Sequence, residues 1–569
     1  METLTLNIAE FMKNLMENYG RMRGTSHSKH DLFWDIVVIS AADEKQAKSF
    51  NSQIKKKQEL RRIPDVPYHV FPDIQGVKMG SGGSTLHILD SLETTYGSHL
   101  YEMKILLIHA GGQSKRLPSH SVLGKLFAPL PQPGSAVFDM LDLKLAMYLP
   151  FLVKMKPGIF LTCSDDIETY ALTGWDKPEI KRAFEEEGFV ALAHPSTIGV
   201  GTTHGVYVLP PDTETESCRV TSCLEVLQKP SMVLMQEKGA IVRIRTGDDE
   251  DKEFVYTDSA FFFDTKVMRQ MLQFYKTAKP ISSEIDAYRD FLQKLGSRSR
   301  VDALSAGDAP TAIQDVMAQF PLRVVVIPKS RFYHIGTMFE YIDNLCTNQE
   351  FAAELGLSRF VNSAFALGNA SSTFKHQSPS NVSGVIMHSK IVPSSTIGST
   401  VVIEHCAFLV PICIEQYCIL SNCEVISAPG DMLTIPSHSL FFTVDISLQH
   451  LSRFVTVSFS INDDLKCTCK SGEGVSYFGA SICELENLAI VPKASLSESA
   501  ASSISLWDAK LFEVKETMTD AFLSTLNLVC AVLNRKQLSP PSGPLVSMDD
   551  ILNQTCIEKM LAYRNQFFM

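Results

Sequence analysis

The first two-thirds of the chain alternates short apolar runs with longer polar stretches, and this alternation restricts the fold more than any other feature. The runs "DIVVISAA" (35–42), "KILLIHA" (104–110) and "GIFLTC" (158–163) are rich in aliphatic and β-branched residues, and helix-like segments such as "DEKQAKSFNSQIKKKQELRR" separate them. Strands alternating with helices predict a parallel sheet that is covered on both faces. We therefore predict an α/β, Rossmann-like domain with a mostly parallel sheet.

A second pattern begins after about residue 380, where apolar residues recur every six positions. The step slips by one after residue 409 and then resumes; the positions are Val385, Ile391, Ile397, Ile403, Leu409, Ile414, Leu420 and Ile426. A six-residue period predicts a left-handed β-helix-like domain, and ordinary antiparallel strands that fall into this spacing by chance are the alternative. We predict an N-terminal helix (1–30), a catalytic domain (31–370), this β-helix-like domain (380–535) and a helical tail (536–569).

Composition excludes several classes of protein. The 569 residues carry a formal net charge of −11, which argues against a general nucleic-acid binder. No run reaches the roughly 18 to 20 apolar residues that span a bilayer, so we expect no membrane association. The 13 cysteines lack the paired spacing of a zinc site or a disulfide scaffold, which favours a reducing, cytoplasmic location.

The segment "IHAGGQSKRLPSHSVLGKL" (108–126) directly follows a predicted strand and carries the clearest sign of ligand binding. Gly111 and Gly112 let the backbone approach a ligand closely, while Arg116 and Lys125 supply positive charge. In a parallel sheet, such loops gather at the carboxyl ends of the strands, where ligands bind. The pattern predicts a polyphosphate site; a tight turn with incidental surface cations is the alternative.

Two adjacent carboxylates, Asp165 and Asp166, close the strand "GIFLTC". Carboxylates at a strand's carboxyl end suit a hard cation whose other ligands are triphosphate oxygens. We predict both as metal ligands, with Asp165 preferred, because Asp166 before "IETY" is also what a helix N-cap looks like.

These motifs resemble the sugar-nucleotide pyrophosphorylases, and within them the branch that makes GDP-L-fucose. The resemblance rests on "WDIVVISAADEKQ", "HVFPDIQGVKMGSGGST", "LLIHAGGQSKRLP", "GKLFAPLP", "GIFLTCSDDIETY", "GTTHGVYVL", "SSEIDAYRDFL", "FYHIGT" and "SLWDAKLF", which cover most of the chain. It implies a nucleotidyltransferase domain of the GT-A-like type. It also implies that L-fucose 1-phosphate and GTP react, with Mg²⁺, to give GDP-L-fucose and pyrophosphate.

The resemblance also implies roles for residues near the nucleotide. Arg116 is expected to clamp the β- and γ-phosphates, and Lys125 to reach the α-phosphate. The residues expected to line the nucleotide lie in two glycine-rich segments: Gly80, Gly82, Gly83 and Ser84, and Gly111, Gly112, Gln113 and Ser114. The first of these segments is read as a loop that holds the guanine or a phosphate.

One position departs from the family pattern. Many of these enzymes have a metal-binding Asp before "IGT", where this chain has His334, and imidazole is a poor ligand for Mg²⁺. Either His334 contacts the substrate, or one metal ion suffices, or another carboxylate takes the place of the missing Asp; Asp258 is the expected substitute. Lys229 is expected to bind the sugar phosphate. The remaining expected sugar contacts are Ser196, His204, Glu284 and Asp286.

Three other functions compete with this one. The same fold serves enzymes that make GDP-mannose or UDP-sugars, and base and sugar choice rest on a few hydrogen bonds. A bifunctional enzyme with an added sugar kinase is excluded, because no second phosphate loop and no room for a kinase domain follow residue 379. A non-catalytic regulatory protein is the alternative from another class. We also expect the C-terminal domain either to shape the sugar side of the cleft or to mediate homo-oligomer formation.

Overall fold

The computed structural model describes residues 7–25, 33–134, 137–211, 216–245, 251–281, 283–299, 309–365, 381–468, 474–488 and 505–568. These residues divide into two compact units. Unit 1 takes its residues from 1–112 and 141–334, and unit 2 from 113–140 and 335–569. The predicted boundaries near residue 30 and between 370 and 380 lie outside the described residues.

Unit 1 contains the strands β1 (Ile36–Ala41), β2 (Tyr68–Pro72), β3 (Lys104–His109), β4 (Gly158–Cys163), β5 (Asp166–Tyr170), β6 (Phe189–Ser196), β7 (Gly205–Val208), β8 (Arg219–Ser222), β9 (Glu225–Gln228), β10 (Val242–Arg245), β11 (Asp251–Asp264), β12 (Leu322–Val326) and β13 (Ser330–His334). Its helices are α1 (Ile8–Met22), α2 (Glu44–Glu59), α3 (Gly80–Tyr96), α4 (Met140–Met147, whose first residue belongs to unit 2), α5 (Leu149–Leu152), α6 (Pro178–Glu185), α7 (Ile198–Gly201), α8 (Met232–Lys238), α9 (Thr265–Ala278), α10 (Arg289–Leu292) and α11 (Ala309–Met317).

The main sheet of unit 1 has the strand order β2-β1-β3-β4-β11-β6-β12-β8. Strands β2, β1, β3 and β4 run parallel, as do β6 and β12, and β11 lies antiparallel between the two groups. Strand β1 is buried along its whole length, and β3 and β4 are buried except at the ends, which is why their sequences are continuous apolar runs. The predicted α/β fold with a mostly parallel sheet is confirmed.

A separate two-stranded sheet is formed by β5 and β13, which pair antiparallel. Helix α1 packs beside β5 and buries the apolar face that its sequence predicts. Tyr19 on that face donates a hydrogen bond to the buried carboxylate of Asp142 (2.8 Å), which also pairs with Lys57 (2.8 Å). These contacts fix α1 to the body of unit 1.

Unit 2 contains the strands β14 (Phe360–Val361), β15 (Ala364–Phe365), β16 (Val385–Met387), β17 (Lys390–Ile391), β18 (Thr396–Ile397), β19 (Val401–Glu404), β20 (Ala407–Phe408), β21 (Ile412–Ile414), β22 (Cys418–Ser421), β23 (Glu424–Val425), β24 (Leu433–Ile435), β25 (Ser439–Leu448), β26 (Leu451–Ser460), β27 (Ser476–Tyr477), β28 (Ala480–Ser481), β29 (Phe512–Glu513) and β30 (Leu545–Val546). Its helices are α12 (Met338–Ile342), α13 (Gln349–Leu355), α14 (Ile482–Asn487), α15 (Met518–Leu533), α16 (Met548–Gln554) and α17 (Ile557–Asn565). No helix in the described parts of either unit combines the length and the apolar character needed to cross a membrane.

Short parallel strands in unit 2 stack into three ladders, β14-β16-β19-β22-β25, β15-β17-β20-β23 and β18-β21-β24. Successive rungs are 17 residues apart from β16 through β19 to β22, from β17 through β20 to β23 and from β18 to β21, as in the pairs Val385 with Val402 and Val402 with Ile419. The steps that start at β14 and β15, and those that end at β24 and β25, are longer. Seventeen is one short of three six-residue repeats, so a strict period of six drifts out of phase with the coil.

This drift makes the prediction wrong at two of the positions expected to point inward. Leu409 is 40% exposed and Ile426 is 58% exposed, whereas the preceding residues, Phe408 and Val425, are fully buried. Phe408 and Val425 are also paired with each other in the second ladder. The five-residue step therefore lies between Ile403 and Phe408 rather than between Leu409 and Ile414, and it recurs between Leu420 and Val425.

Candidate active site

The carboxyl ends of β1, β3 and β4 lie side by side in the main sheet, because Ser40 pairs with His109 and His109 pairs with Cys163. The Ser40 hydroxyl accepts hydrogen bonds from the backbone N–H groups of Ala110 (3.2 Å) and Gly111 (3.4 Å). It also lies 3.3 Å from Nδ1 of His109. Burial lowers the pKa of His109 to about 4, so this imidazole is neutral near pH 7. The hydrogen bonds to Ser40 thus fix the path of the backbone after β3.

The glycine pair that follows β3 is packed against the end of β1. A Cβ atom on Gly111 would lie 3.0 Å from the backbone C of Ala41 and from the backbone N of Ala42, closer than side chains normally approach. The carbonyl of Gly112 accepts a hydrogen bond from the Gln46 side chain (2.9 Å) in the first turn of α2. Glycine is therefore needed at position 111 for close backbone packing, and its contact with a nucleotide stays a prediction.

The remainder of this segment belongs to unit 2. Gln113 and Arg116 are exposed, and Ser114 has a positive φ of 50° in a turn that the N–H of Leu117 closes onto its carbonyl (2.8 Å). The carbonyl of Arg116 accepts from the N–H of Met338 (2.9 Å). The ammonium group of Lys125 donates to the carbonyl of Gly336 (3.1 Å). The backbone of this segment is thus anchored while the guanidinium group of Arg116 stays accessible.

The segment "GSGGST" is helical, so its description as a loop is wrong. Helix α3 begins at Gly80, and the N–H groups of Gly82 and Gly83 both donate to the carbonyl of Ile285 (2.8 and 3.2 Å). A Cβ atom on Gly80 would lie 2.4 Å from that carbonyl oxygen. Ser84 is buried and hydrogen-bonds Asp73. These glycines bring α3 against the segment before α10, and their role at a nucleotide stays a prediction.

Asp165 and Asp166 link β4 to β5. The Asp165 side chain is 25% exposed, and Asp166 is the buried first residue of β5. The alternative that Asp166 caps a helix is therefore wrong, because "IETY" forms a strand. Burial, followed by the charge of Asp165, raises the pKa of Asp166 to about 7. A cation beside this pair would favour the ionised form.

Strand pairing brings His334 directly opposite Asp166 in the β5–β13 sheet. His334 Nε2 lies 3.5 Å from the Asp165 carboxylate. The ring of His204, which follows α7, lies edge-on to the rings of Phe332 (4.9 Å) and His334 (5.6 Å). One ligand atom from each of Asp166, His204 and His334 lies within 4.8 Å of the others. One residue predicted as a metal ligand, Asp166, and two predicted as substrate contacts, His204 and His334, thus form one cluster.

Asp258 lies in β11, and Lys229 directly follows β9. The Asp258 carboxylate accepts from the N–H of Gly205 (2.9 Å), and burial raises the pKa of Asp258 to about 6. Lys229 is exposed at the end of β9, and its N–H donates to the carbonyl of His204 (3.1 Å). Among the described residues, the cluster of possible metal ligands does not include Asp258.

The other predicted sugar contacts each have a partner within unit 1. Ser196 is buried and shares a 2.6 Å hydrogen bond with Thr257. Glu284 pairs with Lys78 (2.6 Å). Asp286 accepts from the N–H groups of Tyr288 (3.0 Å) and Arg289 (2.8 Å) at the start of α10. These contacts give each residue a structural role, and their contact with a sugar stays a prediction.

Comparison with known proteins decides the family. The family model described as "Fucose pyrophosphorylase domain" matches residues 97–517. The chain belongs to the fucose pyrophosphorylase family. This family member is 34% identical to mouse fucose-1-phosphate guanylyltransferase, over 97% of its own length and 96% of the mouse protein. It is 33% identical to the human protein of the same name, with coverages of 99% and 95%. The resemblance inferred from the sequence motifs is confirmed.

Among solved structures, this fucose pyrophosphorylase aligns with UDP-glucose pyrophosphorylase in complex with UDP-glucose. The alignment has a TM-score of 0.25 and 10% identity, and it covers 60% of this chain and 87% of the other. A TM-score and a sequence identity this low support no inference about the site.

Sequence reasoning missed a buried polar network beneath the cluster in this fucose pyrophosphorylase. Lys144 is fully buried and donates to the hydroxyl groups of Tyr148 (3.1 Å) and Thr162 (3.2 Å). Tyr148 donates to Glu168 (2.8 Å), which lies two residues beyond Asp166 on β5. The signal was a single Lys within the apolar run "MLDLKLAMYLP", since a buried Lys is rare unless it is paired.

The donor atoms of this fucose pyrophosphorylase can be compared with what Mg²⁺ requires. Magnesium prefers six oxygen ligands, whereas the cluster offers one carboxylate oxygen and two imidazole nitrogens. The cluster therefore does not fit Mg²⁺.

Proposed function

We propose that the chain joins L-fucose 1-phosphate to GTP and so makes GDP-L-fucose and pyrophosphate. An oxygen of the sugar phosphate attacks the α-phosphorus of GTP; a new P–O bond forms as the bond to the β-phosphate oxygen breaks, and pyrophosphate leaves. The near full-length relationship to two proteins named fucose-1-phosphate guanylyltransferase carries this proposal. The polar carboxyl edge of β1, β3 and β4 supports it, because nucleotides bind at such edges.

The protein's contribution to this reaction is positioning and charge neutralisation, since two anions must meet. Arg116 is proposed to hold the β- and γ-phosphates, and its exposed guanidinium group on an anchored loop suits that role. Lys125 is proposed to reach the α-phosphate. Gly111 and Gly112, with Gln113 and Ser114, are proposed to follow the nucleotide.

The sugar side of the site is proposed to use Lys229 and His204, which their backbone hydrogen bond holds together. Lys229 would bind the phosphate of fucose 1-phosphate, because its side chain is exposed at the end of β9. His334 shares the cluster with His204 and is proposed to face the substrate from β13.

A magnesium ion held here with GTP would neutralise part of the charge on the triphosphate. Asp165 stays the predicted protein contact for this ion, because its carboxylate is partly exposed. Asp258 stays the predicted second contact, although it is buried against Gly205.

A substrate screen tests the proposal. The purified chain is incubated with GTP, L-fucose 1-phosphate and MgCl₂, and both pyrophosphate and GDP-fucose are measured. We expect stoichiometric formation of the two products, and loss of both in Asp165→Ala. Asp176→Ala is the matched control, because the Asp176 carboxylate is fully exposed and pairs only loosely with Lys154 (3.6 Å).

The same assay separates the rival functions. Faster turnover with mannose 1-phosphate, or with UTP and a sugar 1-phosphate, would assign another activated sugar. A chain that binds GTP without releasing pyrophosphate from any pair of substrates would be the non-catalytic homologue.

We also propose that the three parallel ladders of unit 2 form a left-handed β-helix and that this β-helix mediates homo-oligomer formation. The protein is further proposed to act in the cytoplasm, without a nucleic-acid partner. The 17-residue step between rungs supports the coil. The described cysteines, Cys406 and Cys423 among them, are free thiols, which suits a reducing compartment. Light scattering of the full chain and of variants at Leu409 or Ile426 tests self-association.

A further inference from the structure

We propose that Asp166, His204 and His334 form a binding site for a nitrogen-preferring transition-metal cation of the Zn²⁺ or Co²⁺ type. Two imidazoles and one carboxylate are the donors that such ions select over Mg²⁺. The site lies within unit 1 and is distinct from a magnesium ion that arrives with a nucleotide. It does not depend on the proposed function.

Strand pairing fixes two of the three donors. Asp166 and His334 are directly opposite in the antiparallel β5–β13 pair, so their side chains project from the same face. Phe332, two residues before His334, projects from that face as well. All three ligand atoms lie within 4.8 Å of one another, so modest side-chain rotation brings them to the roughly 2.0–2.2 Å bond lengths of a zinc ion.

The third donor is held in place from the other side. His204 packs edge-on against Phe332 and His334. Its Nδ1 lies 3.1 Å from the carbonyl oxygen of Val200 and 3.0 Å from the hydroxyl of Thr203. Because that hydroxyl donates its own proton to the Val200 carbonyl (3.0 Å), both neighbours can accept from Nδ1, and we assign the imidazole proton to Nδ1. That tautomer leaves the lone pair on Nε2. An imidazole oriented through a backbone carbonyl in this way is typical of metal-binding histidines.

Asp165 orients the ring of His334, as the Val200 carbonyl orients the ring of His204. Its carboxylate lies 3.5 Å from His334 Nε2, and a carboxylate beside the outer nitrogen of a metal-binding imidazole orients the ring and increases its basicity. Asp165 is thus a positioning residue in this arrangement, and Nδ1 of His334 is the ligand atom. Three protein ligands leave further coordination positions for water or a substrate oxygen.

Cobalt titration tests the site without reference to catalysis. The full chain, with any purification tag removed, is treated with a chelator, dialysed and titrated with Co²⁺, and the visible ligand-field absorption is recorded. We expect one equivalent to bind, Zn²⁺ to displace it, and excess Mg²⁺ to leave the absorption unchanged. His204→Gln and His334→Gln should each weaken Co²⁺ binding at least about tenfold. His99→Gln is the matched control, because His99 is exposed and pairs with Glu102 at the surface (2.8 Å).

The His334→Asp variant tests the chemical reasoning directly. Replacing nitrogen by oxygen should lower the preference for Co²⁺ over Mg²⁺ at least about tenfold. Circular dichroism of each variant shows whether it folds, and a variant that does not fold is replaced by the Asn substitution. Cobalt absorption that survives both Gln variants, absence of a stoichiometric signal, or displacement by Mg²⁺ at equal concentration would each overturn the proposal.

Measuring product formation in the same preparations separates this inference from the proposed function. Cobalt binding without GDP-fucose formation under any metal would refute the proposed function and leave the site intact. GDP-fucose formation with Mg²⁺, in a chain that binds no Co²⁺, would do the reverse.

Discussion

Glu404 lies at the centre of a fully buried charge network in unit 2, and its replacement by Gln should destabilise that unit. Its carboxylate accepts hydrogen bonds from Ser421 (2.6 Å) and Tyr341 (2.8 Å). It also faces His120 (3.5 Å) and Arg564 on α17 (3.8 Å). The Gln side chain can keep the two hydroxyl contacts but removes the charge opposite Arg564, so the variant isolates the electrostatic contribution.

The loss of stability expected for Glu404→Gln can be calculated from the pKa shift of Glu404. Burial by itself raises the pKa of Glu404, but His120, Arg564 and Ser421 lower it to about 2, against an ordinary value of 4.5. That difference corresponds to about 3 kcal/mol of stability, which agrees with the roughly 3–5 kcal/mol cost of breaking a buried ion pair. Because the folded pKa is depressed, this contribution is present above about pH 4.5 and disappears as the pH falls towards 2. It should already be smaller by about 0.8 kcal/mol near pH 4.

Urea unfolding followed by the fluorescence of Trp507 measures the change in unit 2. The parent for the comparison carries Trp34→Phe and Trp175→Phe, which leaves Trp507 as the only tryptophan of the three in the sequence. Arg564→Met and the double variant complete a mutant cycle, and we expect the double variant to lose less than the two single losses combined. Additive losses, or a Glu404→Gln effect below about 1 kcal/mol near pH 7, would refute the reasoning.

Three further predictions concern other parts of the chain. Arg116→Ala should lower the turnover number at least about 100-fold, because it removes a positive charge proposed to hold the leaving phosphates. The melting temperature should not change, because the residue is exposed, and a matching fall in melting temperature would indicate a structural ion pair. Gly111→Ala should lower the free energy of unfolding, measured in urea, by about 1–3 kcal/mol, because the added Cβ atom would meet the backbone of Ala41. Gly20→Ala on α1 is the control and should be neutral or stabilising, because a Cβ atom there would meet open space. Burial raises the pKa of Asp463 to about 7, so the folded state holds a proton that the unfolded state releases, and stability should fall as the pH rises from about 4 to about 7. Because the pKa values of Asp166 and Asp258 are raised as well, this fall should be smaller in Asp463→Asn than in the parent, and an equal fall in both would contradict the assignment.

The central strands of unit 1 were predictable from the sequence because they are buried on both faces. Ile36–Ala41, Lys104–His109 and Gly158–Cys163 read as continuous apolar runs, and the structure has strands at those places. The spacing of the buried positions in unit 2 was predictable approximately, but their phase was not. A 17-residue step moves the buried position from Leu409 to Phe408, and only the pairing of neighbouring rungs reveals that shift.

The candidate site was predictable as a set of residues rather than as an arrangement. Asp166, His204 and His334 were each singled out, but nothing in their spacing shows that β5 and β13 pair in the register that places Asp166 opposite His334. The helical start at Gly80 was missed because three glycines within four residues disfavour a helix. The hydrogen bonds to Ile285, far along the chain, compensate for that preference.

The passage of the chain from unit 1 to unit 2 after Gly112, and its return at Leu141, has a consequence for synthesis on the ribosome. The segment between these points is translated long before the residues that it contacts in the folded protein. His120 pairs with Glu404, and the ammonium group of Lys115 lies over the ring of Trp507 (5.2 Å). Domains generally fold in the order in which they emerge. The segment between Gly112 and Leu141 therefore lacks Glu404 and Trp507 until the C-terminal residues are translated, so expression of a shortened chain ending before Glu404 should yield aggregates rather than a smaller active enzyme.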